Sequence, residues 1–240
     1  MAGKDPTRVY LHGLGASSPV YFGQAAAHPA LTGHRSMLVD LLGFGISDRP
    51  KEFDYSLEAH AEKLAALLDG LGIGGAHLIA HSMGGAVAIA LAASRPDLVS
   101  NLVLVDSNLD PATPDPRAIG SRGIAHYSEQ DFLDHGFAKM RTMAGPEWWA
   151  TMRLADPLAL HRTAVGLVRG TTPTMRELLM DLPMPRTFLI GDQEDPLGGR
   201  DELVEAGVEV VVIPGAGHNI MLDTPDAFAE ATAAALAHTG

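Results

Sequence analysis

Ala80-His81-Ser82-Met83-Gly84 is a small-x-Ser-x-Gly pentapeptide, followed at once by Gly85 and an alanine-rich run. Ahead of it, Ala76 to Ala80 is short and apolar and reads as a strand. Behind it, Met83 to Ser94 reads as a buried helix that stops at Arg95-Pro96. A serine between strand and helix on so tight a turn takes strained backbone angles, so its neighbours have to be small. The turn pushes the hydroxyl outward. It also sets the serine at a helix N-terminus, where free N–H groups and the dipole favour negative charge. Context therefore predicts a nucleophile at Ser82. Without that context the same residues are a Gly/Ser loop with Ser82 as a helix N-cap. The nucleophile reading needs a histidine, a carboxylate and an oxyanion site elsewhere in the chain.

Composition bounds the rest. The chain has 240 residues, 46% of them hydrophobic, which is enough for one large core or a core with a modest insertion. A net charge of −12 disfavours nucleic acid and anionic membranes as partners and leaves a small-molecule substrate as the expectation. With no cysteine, disulfides, thiolate metal sites and a cysteine nucleophile are excluded. No His-Glu-x-x-His or clustered ligand spacing points to a metal. The N-terminus has no apolar signal core and no segment reads as a bilayer span, so a cytoplasmic protein is expected. Nothing here sets an oligomeric state.

Strands and helices alternate, which predicts an α/β fold with a mostly parallel sheet between helices. The expected strands are Arg8 to His12, Arg35 to Asp40, Ala76 to Ala80, Asn101 to Asp106, Arg186 to Gly191 and Val208 to Pro214. Ser56 to Leu71 reads as an amphipathic helix with Ser56 as N-cap and Gly72 as its stop, and Thr224 to His238 closes the chain as a helix. From Ser107 to Pro185 the rhythm breaks into a proline-rich stretch and short helices near Ser128–Ala144, Pro146–Leu154, Pro157–Arg169 and Thr174–Leu182. The expected organisation is a core of residues 1–106 and 186–240 with a helical cap, 107–185, inserted between two strands.

The partners of Ser82 come from loops. His218 sits in Pro214-Gly215-Ala216-Gly217-His218-Asn219, where glycines let the backbone turn and present the imidazole. Gly191-Asp192-Gln193-Glu194-Asp195-Pro196 follows a strand and supplies the preferred acid, Asp195. Asp106, at the end of the strand before the insertion, is the alternative. The acid's work is to hold the other ring N–H of the histidine. An oxyanion site needs two backbone N–H groups; Met83, next to the nucleophile, and Leu14, in His12-Gly13-Leu14-Gly15, fit.

These pieces resemble the α/β-hydrolase fold superfamily, in particular its small serine hydrolases with a helical cap. The resemblance rests on His12-Gly13-Leu14-Gly15, Gly43-Phe44-Gly45-Ile46-Ser47-Asp48, His81-Ser82-Met83-Gly84-Gly85 and Gly215-Ala216-Gly217-His218, in that order. It implies a Ser…Asp…His order and a pocket between core and cap. In that family the acid usually lies three residues after a glycine like Gly191, which is Glu194 here; Asp195 is one further on, in an Asp-Pro-Leu context like the usual one. The implied chemistry is an acyl-enzyme hydrolysis of a small carboxylic ester or lactone, without cofactor. C–C bond hydrolysis, thioester hydrolysis and acyl transfer to another acceptor, including peroxide, are alternatives. A ligand-binding receptor on the same fold with a slow or silent triad is the alternative from another class. The serine argues against the family's dehalogenases and epoxide hydrolases, which use an aspartate there. Gly13-Leu14-Gly15-Ala16 with Asp40 half-resembles a dinucleotide loop but lacks the third glycine. Trp148 and Trp149, with several methionines, are the candidate substrate-binding residues of the insertion, or else its own packing.

Overall fold

In the computed structural model, which describes residues 3–193 and 197–237, six parallel strands form one sheet. In chain order the elements are β1 (Lys4–Leu11), α1 (Ser18–Ala26), β2 (His34–Val39), α2 (Leu57–Gly70), β3 (Ala76–His81), α3 (Met83–Ser94) and β4 (Val99–Val105). After the insertion come β5 (Arg186–Gly191), the helix Arg200–Glu205, β6 (Glu209–Ile213), the turn of helix Ile220–Asp223 and the closing helix Pro225–Ala237. The strand order is β2-β1-β3-β4-β5-β6. The chain therefore leaves β1 to one side and returns to β3 on the other. The carboxyl ends of β1 and β3 flank this switch point, where open α/β sheets place their ligands.

The strands read as near-continuous apolar runs because both faces are covered. Val9, Leu11, Leu78, Ala80, Leu102 and Leu104 face one core with α2 and α3. Tyr10, Ile79, Val103, Val105 and Leu189 face the other, with α1 and the closing helix. Helix α3 is buried from Met83 to Ala92, so its small residues let it lie close to the sheet. The expected N-cap on α2 is present: Ser56 Oγ accepts the Ala59 N–H at 3.1 Å. The sequence reading omitted α1 and the helix Arg200–Glu205.

Between β4 and β5 lie α4 (Ser121–Ile124), α5 (Glu129–Asp131), α6 (Phe137–Met143), α7 (Gly145–Met152), α8 (Pro157–Arg169) and α9 (Met175–Asp181). The single helix expected over Ser128–Ala144 is two pieces, α5 and α6, joined by a wider turn at Phe132–Gly136. Ser128 caps the first by accepting the Asp131 N–H at 3.2 Å. Thr174 and Glu177 form a full capping box on α9. The segment is fastened to the core through main-chain groups. Asp156 N–H donates to the Gly43 carbonyl at 2.8 Å, Arg49 to the Leu154 carbonyl at 2.6 Å, and Thr163 Oγ1 to the Tyr55 carbonyl at 3.1 Å. Among the described residues, no helix is long and apolar enough to cross a membrane.

Asp40 has a structural task. Its carboxylate accepts from Ser18 N–H at 2.7 Å, Ile46 N–H at 3.0 Å and Ser17 Oγ at 3.2 Å. It therefore satisfies the start of α1, where a dinucleotide's pyrophosphate would sit, and it is not presented to a ribose.

The buried face of α2 includes His60, packed among Phe44, Phe53 and Tyr55, with neither ring nitrogen hydrogen-bonded. Burial lowers its pKa to about 3 from 6.5. A lowered folded pKa means that the unfolded chain binds the extra proton first. The stability is complete above about pH 6.5 and drains away as pH falls toward 3. Thermal unfolding followed between pH 7 and pH 4.5 is expected to show a falling Tm, and His60→Leu is expected to flatten that slope. An unchanged slope would remove His60 from the acid response.

Candidate active site

The elbow has the strain expected of it. Ser82 sits at φ 51° and ψ −117°, a conformation rare for a residue with a side chain. The structure holds it there from both sides. The Ser82 N–H donates to the Val105 carbonyl at 2.9 Å, and the Ser82 carbonyl accepts from Gly85 N–H at 3.0 Å. A Cβ on Gly84 would stand 2.6 Å from the His12 carbonyl oxygen, and one on Gly85 would collide with Ser107 Oγ. Both glycines are required by close approach to neighbouring loops. Ser82 itself is buried, and Met83 begins α3, so its N–H has no partner within the helix.

The loop after β1 lies against this turn. A Cβ on Gly13 would come 2.7 Å from His81 Nδ1 and 3.2 Å from Ser82 Cβ. Leu14, the expected second oxyanion donor, is the next residue. His12 is fully buried and staples the loop: its Nδ1 lies 2.7 Å from the Gly13 carbonyl oxygen, and its Nε2 lies 3.0 Å from the Leu41 N–H. A carbonyl only accepts and an N–H only donates, so the ring is neutral with its proton on Nδ1. Burial lowers its pKa, in agreement with that tautomer.

His218 is brought to the elbow through His81. The His81 Nε2–H donates to the His218 carbonyl at 3.0 Å, and the two rings lie 4.6 Å apart. His81 is buried and stacks on Tyr21 at 6.0 Å. Burial, and then the neighbouring His218, push its pKa well below 6.5, so it stays a neutral strut. The His218 loop is braced further by Asp192 Oδ1, which accepts Gly215 N–H at 2.8 Å, and by Asp223 Oδ2, which accepts Gly217 N–H at 2.9 Å.

The carboxylate on His218 is that of Asp106: Oδ2 lies 2.5 Å from Nδ1. Asp106 directly follows β4 with φ 41°, a left-handed turn, while its N–H donates to the Leu189 carbonyl at 2.9 Å. That turn carries its carboxylate off the sheet edge. Asp195, preferred on the sequence, and Glu194 lie outside the described residues. Asn108 was missed altogether: Ser82 Oγ donates to its Oδ1 at 3.3 Å. The only signal for it was its place two residues after Asp106. Trp148 and Trp149 are half-buried and pack on the core. Trp149 lies 5.5 Å from the Phe137 ring, whereas the Trp148 Nε1–H donates to the Leu14 carbonyl at 2.8 Å. Among the described residues no group of three or more His, Asp or Glu side chains is placed to hold a metal ion.

Comparison with known proteins bears on the fold. Residues 9–122 match the model of the alpha/beta hydrolase fold family. A mouse sn-1-specific diacylglycerol lipase is 28% identical over 97% of this chain and 81% of its own length. An esterase structure from Exiguobacterium antarcticum superposes with a TM-score of 0.80 at 20% identity, covering 97% of this chain and 92% of that one. The enol-lactonase from Burkholderia xenovorans gives 0.76 at 24% identity, covering 98% and 93%. Matches to mycobacterial relatives at 31% identity span 50% of their length.

The His81 strut has a measurable consequence. His81→Leu removes the donor to the His218 carbonyl and is expected to lower kcat about tenfold with little change in KM, equivalent to about 1.4 kcal/mol. His81→Gln, which can still donate, is expected to recover part of that. Equal losses in both variants would leave the bond without a role.

Proposed function

We propose that this chain, whose residues 9–122 match the alpha/beta hydrolase fold family, is a serine hydrolase acting on a small carboxylic ester or lactone through an acyl-enzyme. The observation that carries this reading is the short Asp106–His218 contact on a loop tied through His81 to the strained Ser82 turn. A relative named as a diacylglycerol lipase and structural neighbours named as an esterase and an enol-lactonase favour an ester bond over the alternatives.

In this reading Ser82 Oγ attacks the carbonyl carbon while His218 Nε2 takes its proton. Asp106 holds the Nδ1–H and stabilises the imidazolium. Leu14 and Met83 N–H groups receive the oxyanion; one such donor contributes about 3 kcal/mol to the transition state. Collapse breaks the C–O bond, and His218 returns the proton to the leaving alcohol, which stays tethered when the substrate is a lactone. Water then attacks the acyl-enzyme by the same route and releases the carboxylic acid. Asn108 would hold the resting hydroxyl by accepting its hydrogen. The helices of residues 107–185 act as the cap, since they fasten onto the loops after β1 and β2.

A fluorophosphonate probe is expected to label the wild-type protein and not Ser82→Ala. Labelling of both, or of neither, would overturn the nucleophile. Asp106→Asn is expected to lower turnover of the best substrate from a panel of p-nitrophenyl esters and lactones by about 10³–10⁴. A larger loss in Asp195→Asn than in Asp106→Asn would return the acid to the loop after β5.

A further inference from the structure

The hydrogen bond from Trp148 to Leu14 joins two parts that the chemistry keeps separate. Leu14 belongs to the loop after β1, and Trp148 to α7 of the inserted segment, 134 residues further along. The loop is otherwise held at its start by His12 and closed on itself by the Ala16 N–H, which donates to the Gly13 carbonyl at 3.1 Å. Gly15, between them, has φ +68°, and a Cβ there would press on Trp148 Nε1 at 3.1 Å and Met152 Cγ at 3.2 Å. The peptide from Leu14 to Gly15 is thus clamped from above by the indole and filled in from the side by α7 and α8. The same stretch of the insertion is fixed a few residues later by Arg49 on the Leu154 carbonyl and by Asp156 on the Gly43 carbonyl. When these contacts are made, the Trp148 donor is delivered to the loop.

We propose that Trp148 is a positioning residue for the oxyanion loop, so that the loop is set for catalysis only when the helical segment is seated. The catalytic part of this inference rests on the serine hydrolase reading; the clamp itself does not. A hydrogen bond to one carbonyl leaves the donor at Leu14 in place but less sharply aimed. The effect on rate therefore lies below the loss of a whole oxyanion donor, about 10²–10³, and near tenfold.

The test uses Trp148→Phe and a second variant carrying a benzothienyl analogue of tryptophan at position 148, which keeps the ring shape and replaces N–H by sulfur. Two readouts are followed. Amide hydrogen exchange at Ala16 reports whether the loop is held, and it needs no activity. Inhibition by a boronic acid that forms a tetrahedral adduct on Ser82 reports the oxyanion geometry, against KM for the parent ester. Both variants are expected to lose Ala16 protection several-fold, to lower kcat about tenfold and to weaken the boronate by a similar factor, with KM changed less than twofold. Unchanged Ala16 protection in the benzothienyl variant would overturn the clamp. A parallel rise in KM and in the boronate inhibition constant would overturn the positioning role, because it would show ordinary substrate contact. A wild-type protein that binds no boronate would sink the hydrolase reading instead, while the exchange result would still decide the clamp.

Discussion

The carboxyl ends of β1 and β3 approach so closely that no side chain fits between the turns that follow them. Gly84 faces the His12 carbonyl and Gly13 faces His81 and the serine, each within a distance that excludes a methyl group. This contact follows from topology. The chain leaves β1 outward and re-enters at β3, so the two adjacent strands end side by side with no crossover helix between them. The strained φ of Ser82 persists because the ladder bond to Val105 on one side and the packed glycines on the other leave the turn no other arrangement. The loop after β1 and the Ser82 turn are therefore brought together by backbone alone, before any side chain is considered.

Loops at sheet ends have carbonyls that no ladder satisfies, and buried carbonyls without donors are costly. Here two neutral histidines answer that need. His12 serves the Gly13 carbonyl and the Leu41 N–H at once; His81 serves the carbonyl of His218. Both rings are buried, so charging them is disfavoured, and neither adds a fixed positive charge beside His218. An aliphatic residue would fill the same space without supplying either hydrogen bond. Asp106 completes the pattern from the third side, its left-handed turn lifting the carboxylate out of the sheet to the one ring nitrogen it reaches.

The parts of this site that were readable in the sequence are those fixed by backbone geometry. Ser82, Gly84 and Gly85 announce a tight turn, and the glycines around His218 announce a presented imidazole. The strands were readable because burial on both faces makes them continuous apolar runs. Asn108 carries no such signature, since an asparagine after a strand is ordinary and only its distance to Ser82 Oγ gives it meaning. The acid is hard to read for a related reason: any carboxylate at a strand's carboxyl end can reach the same histidine, and local sequence does not encode which one turns inward. Helix α1 escaped because its N-terminus is completed by Asp40, a residue 22 positions away, and not by a local cap. In the insertion, Thr174 and Glu177 mark a helix start by local chemistry, yet the break at Phe132–Gly136 depends on rings packing across several helices.

The inserted helices share an apolar core with α2 and α3 and also hold core loops at main-chain carbonyls: Leu14, Gly43 and Tyr55 accept from Trp148, Asp156 and Thr163. A carbonyl accepts from any suitably placed donor, whatever side chain its residue bears. At these three loops the insertion is held by carbonyl acceptance and not by the side chains of Leu14, Gly43 and Tyr55. In the proposed serine hydrolase two kinds of specificity are separated physically: the sheet ends would set how an acyl group is attacked, through strain, packed glycines and neutral histidine struts, and the helices of residues 107–185 would set which acyl group arrives. The indole on Leu14 is the point at which they hold the loop expected to receive the oxyanion.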